Sequence, residues 1–75
     1  MKFYFTFGVG NSMPHKGGWV TVKADNINEA IKKFNKEYPN YQNQYSMSYP
    51  EEKFKETRMY KEGNNYGSNL HKVID

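Results

Sequence analysis

The side chains that most often carry chemistry are few in this chain and stand apart from one another. Neither His15 nor His71 has a second histidine, a cysteine or a paired carboxylate at the spacing that metal ligands need. Ser12 lies close to His15, but a nucleophile and its base also need an orienting third group and a shielded pocket, which a glycine-rich loop does not provide. We therefore predict no enzymatic activity, no catalytic residue, no metal and no cofactor.

A group of three glutamates within residues 51–56 is the other candidate for acid–base chemistry. Two carboxylates act as acid and base only where their surroundings push their pKa values apart, and a solvated helix start does not do that. Ser48 and Pro50 before an acidic first turn are typical of a helix N-terminus. These residues indicate a second short helix from about Pro50 to Thr57, with Phe54 as its apolar anchor.

The segment 8–18 holds four glycines and one proline, which predicts a loop. Glycine-rich loops can bind phosphate through backbone amides, but here His15 occupies the place of the second glycine in the mononucleotide pattern, and the loop leads into a strand. Met13 occupies the place of the third glycine in the dinucleotide pattern. We interpret the segment as a long hairpin loop, whose length makes it a secondary contact surface through Asn11, His15 and Lys16.

The segments on either side of this loop, 2–7 and 19–24, alternate between apolar and polar residues as strands do. We expect them to pair antiparallel as a hairpin. The side chains predicted to face the core are Phe3, Phe5 and Phe7 from the first strand and Val20, Val22 and Ala24 from the second.

The opposite face of this hairpin is the most informative feature of the sequence, because one helix can cover only one face of a sheet. Aromatic rings interleaved with lysines could anchor a partner protein or stack on the bases of a nucleic acid. A third alternative is structural cover, by the chain after Met59 or by a second copy of the protein. The residues that we predict to bind a partner are Lys2, Tyr4, Trp19, Thr21 and Lys23.

The main helix is predicted over residues 26–38, where Asn26 suits the N-cap position and Pro39 follows the last turn. Its apolar residues fall on one face: Ile27, Ala30, Ile31, Phe34 and Tyr38. A third strand is predicted over residues 44–49, with Tyr45, Met47 and Tyr49 on one face. Residues 60–75 are expected to form a loosely ordered tail or, at Leu70–Ile74, a short edge strand.

These elements predict a single α+β domain over residues 1–75. We expect a small antiparallel sheet of about three strands, with the main amphipathic helix on one face and a second short helix, in the order ββαβα. A chain of 75 residues is too short for a second domain, and it has no cysteine that could form a disulfide bond. Without a signal-peptide pattern or a long apolar run, we expect a cytoplasmic protein with no membrane contact.

The charge balance permits an acidic partner but is not typical of a dedicated nucleic-acid reader. The chain has 11 Lys and Arg residues against 8 Asp and Glu, and Arg58 is its one arginine. Proteins that read phosphates and bases usually rely on arginine, whose planar fork makes bidentate contacts. The aromatic motif of RNA-recognition modules is also absent. Nucleic acid therefore ranks behind a protein partner.

Four segments within about residues 2–54 carry a resemblance to known proteins: Tyr4-Phe-Thr-Phe-Gly-x-Gly10, Gly18-Trp-x-x-Val22, Glu29-Ala30, and Tyr49 through Glu51-Glu52 to Phe54. In these segments the chain resembles a family of very short phage and prophage proteins of Gram-positive bacteria. The chain departs from the family pattern at residues 40–44. The resemblance carries over no catalytic residue.

What the resemblance implies is a phage origin and a role in host takeover or in blocking a defence system. We therefore expect an accessory protein that acts in the bacterial host's cytoplasm by stoichiometric binding to a host protein. A defence nuclease such as a CRISPR effector would be one such target. The alternative is a small nucleic-acid-binding module that uses the aromatic and lysine face, and a homo-oligomer remains open.

Overall fold

Four strands and three short or medium helices make up the part of the chain that a computed structural model describes, residues 1–8, 15, 17–62 and 70–75. The α+β class is confirmed. In chain order the elements are β1 (Lys2–Thr6), β2 (Trp19–Lys23), α1 (Ile27–Glu37), a 3-10 turn (Pro39–Tyr41), β3 (Met47–Pro50), α2 (Glu51–Phe54), α3 (Arg58–Glu62) and β4 (Leu70–Ile74).

The sheet has the strand order β3-β1-β2-β4. The predicted hairpin is confirmed, because β1 and β2 pair antiparallel with Phe3 opposite Val22 and Phe5 opposite Val20. β3 pairs antiparallel with the other edge of β1, and β4 pairs parallel with β2. The sheet is therefore mixed and has four strands rather than about three, and the fourth is the edge strand that the sequence offered as one alternative for Leu70–Ile74. Since β3 and β4 run the same way, the chain between them must return to the other end of the sheet, and it carries α2 and α3 on that return.

The hydrophobic core lies between α1 and one face of the sheet, which we call the first face. Phe5 and Phe34 are fully buried, and their ring centroids lie 5.0 Å apart in a stacked arrangement. The predicted inward residues of β1 and β2 all belong to this core, and Ile74 of β4 joins them. The sequence places Ile27 on the apolar face of the main helix, but the residue lies in the first turn of α1 and is 36% exposed.

Local hydrogen bonds fix both ends of α1. The Asn26 side chain accepts the N–H of Glu29 at 2.9 Å, which confirms the predicted N-cap. Beyond the helix, Asn43 adopts a positive φ of 59°. The Asn35 side chain accepts the backbone N–H of Asn43 at 2.8 Å and donates to its side-chain oxygen at 3.2 Å, so this turn is tied to α1.

The third strand begins later than predicted. Pairing with β1 starts where the N–H of Ser46 donates to the carbonyl of Thr6 at 2.8 Å, so Tyr45 lies outside the strand. Tyr45 instead turns toward the core and meets Phe5 edge-on at 4.8 Å, while Met47 and Tyr49 lie on the opposite face. The expectation that Tyr45 shares a face with Met47 and Tyr49 is therefore wrong.

The predicted second helix is shorter than expected, because only Glu51–Phe54 of residues 50–57 are helical, and a further helix, α3, begins beyond the predicted end. α2 ends at Phe54, and Thr57 separates it from α3. The Thr57 hydroxyl donates to the carbonyl of Phe54 at 2.7 Å and accepts the N–H of Tyr60 at 3.2 Å. One threonine thus closes α2 and caps the start of α3.

Candidate binding groove on the second face of the sheet

The second face of the sheet, opposite α1, is partly covered by α2. Phe54 is fully buried there and stacks on Tyr4, with ring centroids 4.4 Å apart and planes at 7°. It also meets Trp19 edge-on at 4.9 Å. Tyr4, under this ring, is only 8% exposed, and Thr21, paired with Tyr4 on one side and Val73 on the other, is only 5% exposed. The expectation of a fully displayed second face is corrected at these two positions, and at Tyr4 the structural cover is Phe54 of α2.

Phe54 is the centre of an aromatic cluster that the sequence did not predict. Besides Tyr4 and Trp19, its ring contacts Tyr49 and Tyr60, with a centroid distance of 5.8 Å to each. Large aromatic side chains that pack in stacked and edge-on geometries are a main source of stability in a small domain. The cluster therefore holds α2 and α3 against the sheet and fixes the orientation of Trp19.

Tyr4 serves as a structural residue within this cluster. Its hydroxyl donates to the carboxylate of Glu51 at 3.0 Å. Burial, together with the hydrogen bond and the negative charge of Glu51, raises the pKa of Tyr4 to about 12. The phenol is therefore neutral at physiological pH, and its covered ring cannot stack on a ligand.

Beside the part that α2 covers, the second face has a groove of about 310 Å³. All five residues that we predicted to bind a partner line this groove, which also includes Tyr60 of α3 and Leu70 and Val73 of β4. Lys2 and Lys23 are exposed, Trp19 is half-buried, and Tyr4 and Thr21 form the buried floor. We call this feature the second-face groove.

Three exposed apolar side chains form one side of the second-face groove. Tyr60, Leu70 and Val73 are each 46% exposed. Leu70 lies opposite Trp19 in the β2–β4 pairing, and Val73 lies opposite Thr21. Sequence reasoning missed all three residues, because Leu70 and Val73 depend on the parallel pairing of β4 and Tyr60 depends on the packing of α3 against Phe54. Grouped exposed apolar residues of this kind mark binding surfaces more often than scattered ones do.

Two lysines form the cationic end of the groove. Lys2 and Lys23 are directly opposite each other in the β1–β2 pairing. The ammonium of Lys23 lies 3.2 Å from a side-chain oxygen of Asp75. Lys2 makes no ion pair with any residue that the structure describes. The groove thus combines an apolar side with a concentrated positive charge.

The two histidines meet at a separate site, between the hairpin loop and β4. The rings of His15 and His71 stack with centroids 4.5 Å apart and planes at 12°. Nε2 of His15 lies 2.9 Å from the Tyr38 hydroxyl, and Phe7 packs edge-on against the same ring. Burial, and then the nearby His71 and Lys72, lower the pKa of His15.

The arrangement at the histidines is that of a packing contact. In stacked rings the nitrogen lone pairs lie in parallel planes and do not converge on one point. Across residues 1–8, 15, 17–62 and 70–75, no three His, Cys, Asp or Glu side chains form a group that could hold a metal ion. Asn11 and Lys16, the other members of the predicted loop surface, lie outside the described residues.

Comparisons with known proteins do not identify the chain. No protein-family model matches it, and no curated protein or solved structure is significantly similar to it. Within the described residues, no helix is long and apolar enough to cross a lipid bilayer. The second-face groove is therefore the feature from which a function can be argued.

Proposed function

We propose that this protein acts by stoichiometric binding to a partner protein, and that the second-face groove is its contact surface. The observation that carries the proposal is the group of three exposed apolar side chains, Tyr60, Leu70 and Val73, beside the half-buried Trp19. Tyrosine and tryptophan are the aromatic residues most often found as energetic anchors of protein interfaces.

The packing around Trp19 favours binding, because a side chain that is already held in place loses less conformational entropy when the complex forms. The Trp19 ring is held edge-on against the buried Phe54 at 4.9 Å. Side chains that are ordered before binding lose less conformational freedom when the complex forms. The groove is at the lower end of the volumes that ligand sites span, about 300 to 1,000 Å³, and it suits a few side chains of a loop or extended segment.

The identity of the partner rests on the family resemblance alone. A phage protein of this kind would act in the cytoplasm of a Gram-positive host, on a host protein such as a defence nuclease or CRISPR effector. Inhibition by stoichiometric masking needs one surface and no catalytic group. The second-face groove would provide that surface.

Nucleic-acid binding is the second candidate, and Lys2 and Lys23 beside Trp19 are the observation in its favour. A base-stacking surface needs exposed ring faces. Tyr4 cannot supply one, because its ring is stacked under Phe54. Trp19 is then the one aromatic residue of the predicted five that a base could reach, so we place this candidate second.

Site-specific photocross-linking tests the proposal. A benzoylphenylalanine placed at Val73, within the groove, should cross-link to a protein when the chain is incubated in a Gram-positive bacterial extract. The matched control replaces Lys32, whose side chain is 74% exposed on α1 at the far side of the sheet. A product that nuclease digests, or equal protein cross-linking from both positions, would contradict the proposal.

A further inference from the structure

The cationic end of the second-face groove contains an arrangement that is unfavourable in the isolated protein. Lys2 and Lys23 stand directly opposite each other on neighbouring antiparallel strands, and both side chains lie on the second face. Like charges at directly opposed positions destabilise a strand pair. An anion placed between the two ammonium groups would remove that repulsion.

One carboxylate from within the chain already pairs with Lys23. Asp75 contacts Lys23 at 3.2 Å, but its side chain is 81% exposed and that of Lys23 is 52% exposed. A solvent-exposed ion pair of this kind is weak and easily exchanged for another carboxylate. Lys2 has no such partner among the described residues.

The carboxylates on the other side of Lys2 do not fill the role of this anion. Glu51 and Glu52 line a shallow cleft next to Lys2, but neither forms an ion pair with it. Glu51 instead accepts the hydrogen bond of Tyr4 at 3.0 Å. A ligand in the groove therefore has no ion pair of Lys2 to displace among the described residues.

We infer that the segment bound in the second-face groove is acidic, with an Asp or Glu carboxylate between Lys2 and Lys23 and neighbouring apolar side chains against Leu70 and Val73. This inference rests on the proposed function and specifies the chemistry of its partner. The cations and the apolar side chains line one groove, so a single short segment can contact both. The Asp75 carboxylate competes for Lys23 and leaves when the partner binds.

A titration followed by amide NMR of the full 75-residue chain tests the inference. The probes are acetyl-Leu-Leu-Asp-amide and its neutral counterpart acetyl-Leu-Leu-Asn-amide. We expect both peptides to shift the signals of Trp19, Thr21 and Val73, and the acidic peptide to bind about fivefold more tightly, as expected for two partly exposed lysine–carboxylate contacts.

Matched variants locate the effect. Lys2→Gln combined with Lys23→Gln should bring the two affinities within about twofold of each other, whereas Lys32→Gln on α1 should leave the preference unchanged. Asp75→Asn should tighten binding of the acidic peptide by about twofold, because it removes the competing carboxylate. A retained pattern of core amide signals confirms that each variant is folded.

Three results would overturn the inference, and they differ in what they mean for the proposed function. Equal affinity for both peptides would show that the groove does not recognise a carboxylate, and the proposal of an apolar protein-binding groove would stand. Shifts confined to residues outside the groove, or no shifts, would overturn the inference and leave the cross-linking result to decide the function. Tighter binding of oligothymidylate than of either peptide would overturn both.

Discussion

The hydroxyl of Tyr4 links the sheet to α2 through its hydrogen bond to Glu51 at 3.0 Å. The pKa of Tyr4 is about 12 in the folded protein and 10.0 in the unfolded chain. The folded state therefore holds this proton more tightly. Its contribution to stability is complete below pH 10 and is lost as the pH rises toward 12.

Tyr4→Phe tests this link. At pH 7 the variant should lose about 1 kcal/mol of unfolding free energy, because Glu51 loses its donor. Its stability should then fall much less than that of the wild type above pH 10, which denaturant titrations at several pH values would measure. Tyr38, whose pKa burial also raises, accounts for a residual slope. Parallel pH profiles for the two proteins would contradict the assignment.

His15 gives the opposite pH dependence. Its pKa is lowered in the folded protein, so the unfolded chain binds the proton more tightly, and stability falls as the pH drops below 6.5. The groups near its ring are His71, the Tyr38 hydroxyl and Lys72, whose ammonium forms an ion pair with Glu37.

His15→Gln should therefore flatten the decline in unfolding free energy on the acidic side of pH 6.5. Lys32→Gln, on the exposed side of α1, is a control that should leave the decline unchanged. If the His15 variant and the wild type lose stability equally between pH 7 and pH 5, the histidine contact between the loop and β4 is not the cause.

At the scale of elements, Phe5 fixes α1 on the first face and Phe54 fixes α2 on the second. Both side chains are fully buried, so replacing either with alanine should cost about 3 to 5 kcal/mol by leaving a cavity. That is a large share of the stability of a small domain. The two variants should differ in one respect. Phe54→Ala should also shift the Trp19 fluorescence to longer wavelength, because water reaches its ring.

Phe54→Leu provides a milder version of the same test, with an expected cost of about 1 to 2 kcal/mol and a smaller fluorescence shift. Chemical denaturation monitored by circular dichroism gives the free energies. Unchanged stability and unchanged emission in the Phe54 variants would show that α2 does not pack against the sheet.

The elements that could be predicted from sequence are those whose evidence is local. Strict alternation defined β1 and β2, and the N-cap at Asn26 with a one-sided apolar pattern defined α1. The place of β4 could not be predicted, because its parallel pairing depends on a crossover between distant parts of the chain. Local evidence predicted Phe54 as the apolar anchor of the second helix. Its position over Tyr4 could not be predicted, because that contact also joins distant parts of the chain.

Only part of the candidate site could be predicted, because local alternation can be read from the sequence and tertiary packing cannot. Alternation assigned five residues to one face, and all five line the second-face groove. Their exposure depends on tertiary packing, since Phe54 of α2 covers Tyr4 and Thr21 is buried between its neighbouring strands. The apolar side of the groove comes from α3 and β4, whose positions follow from tertiary packing.

Considered as a whole, the molecule covers the two faces of its sheet unequally. The first face is sealed by α1, whereas the second is covered by α2 along one part and forms a groove along the other. The net charge of +3 is modest, so long-range attraction to an acidic polymer is weak. Such a molecule is suited to recognising a partner through one short-range apolar contact that a few charges orient.

The measurement that tests this account most directly is the affinity for the partner captured from position 73, determined as a function of salt concentration. We predict that Trp19→Ala loses about 2 kcal/mol or more, roughly 30-fold in affinity, with a shallow salt dependence. Met47→Ala is the matched control, since Met47 is 52% exposed but does not line the groove. A steep fall in affinity with salt, which Lys2→Ala combined with Lys23→Ala flattens, would show that charge rather than the Trp19 anchor carries the binding, as in nucleic-acid recognition, and would contradict the account.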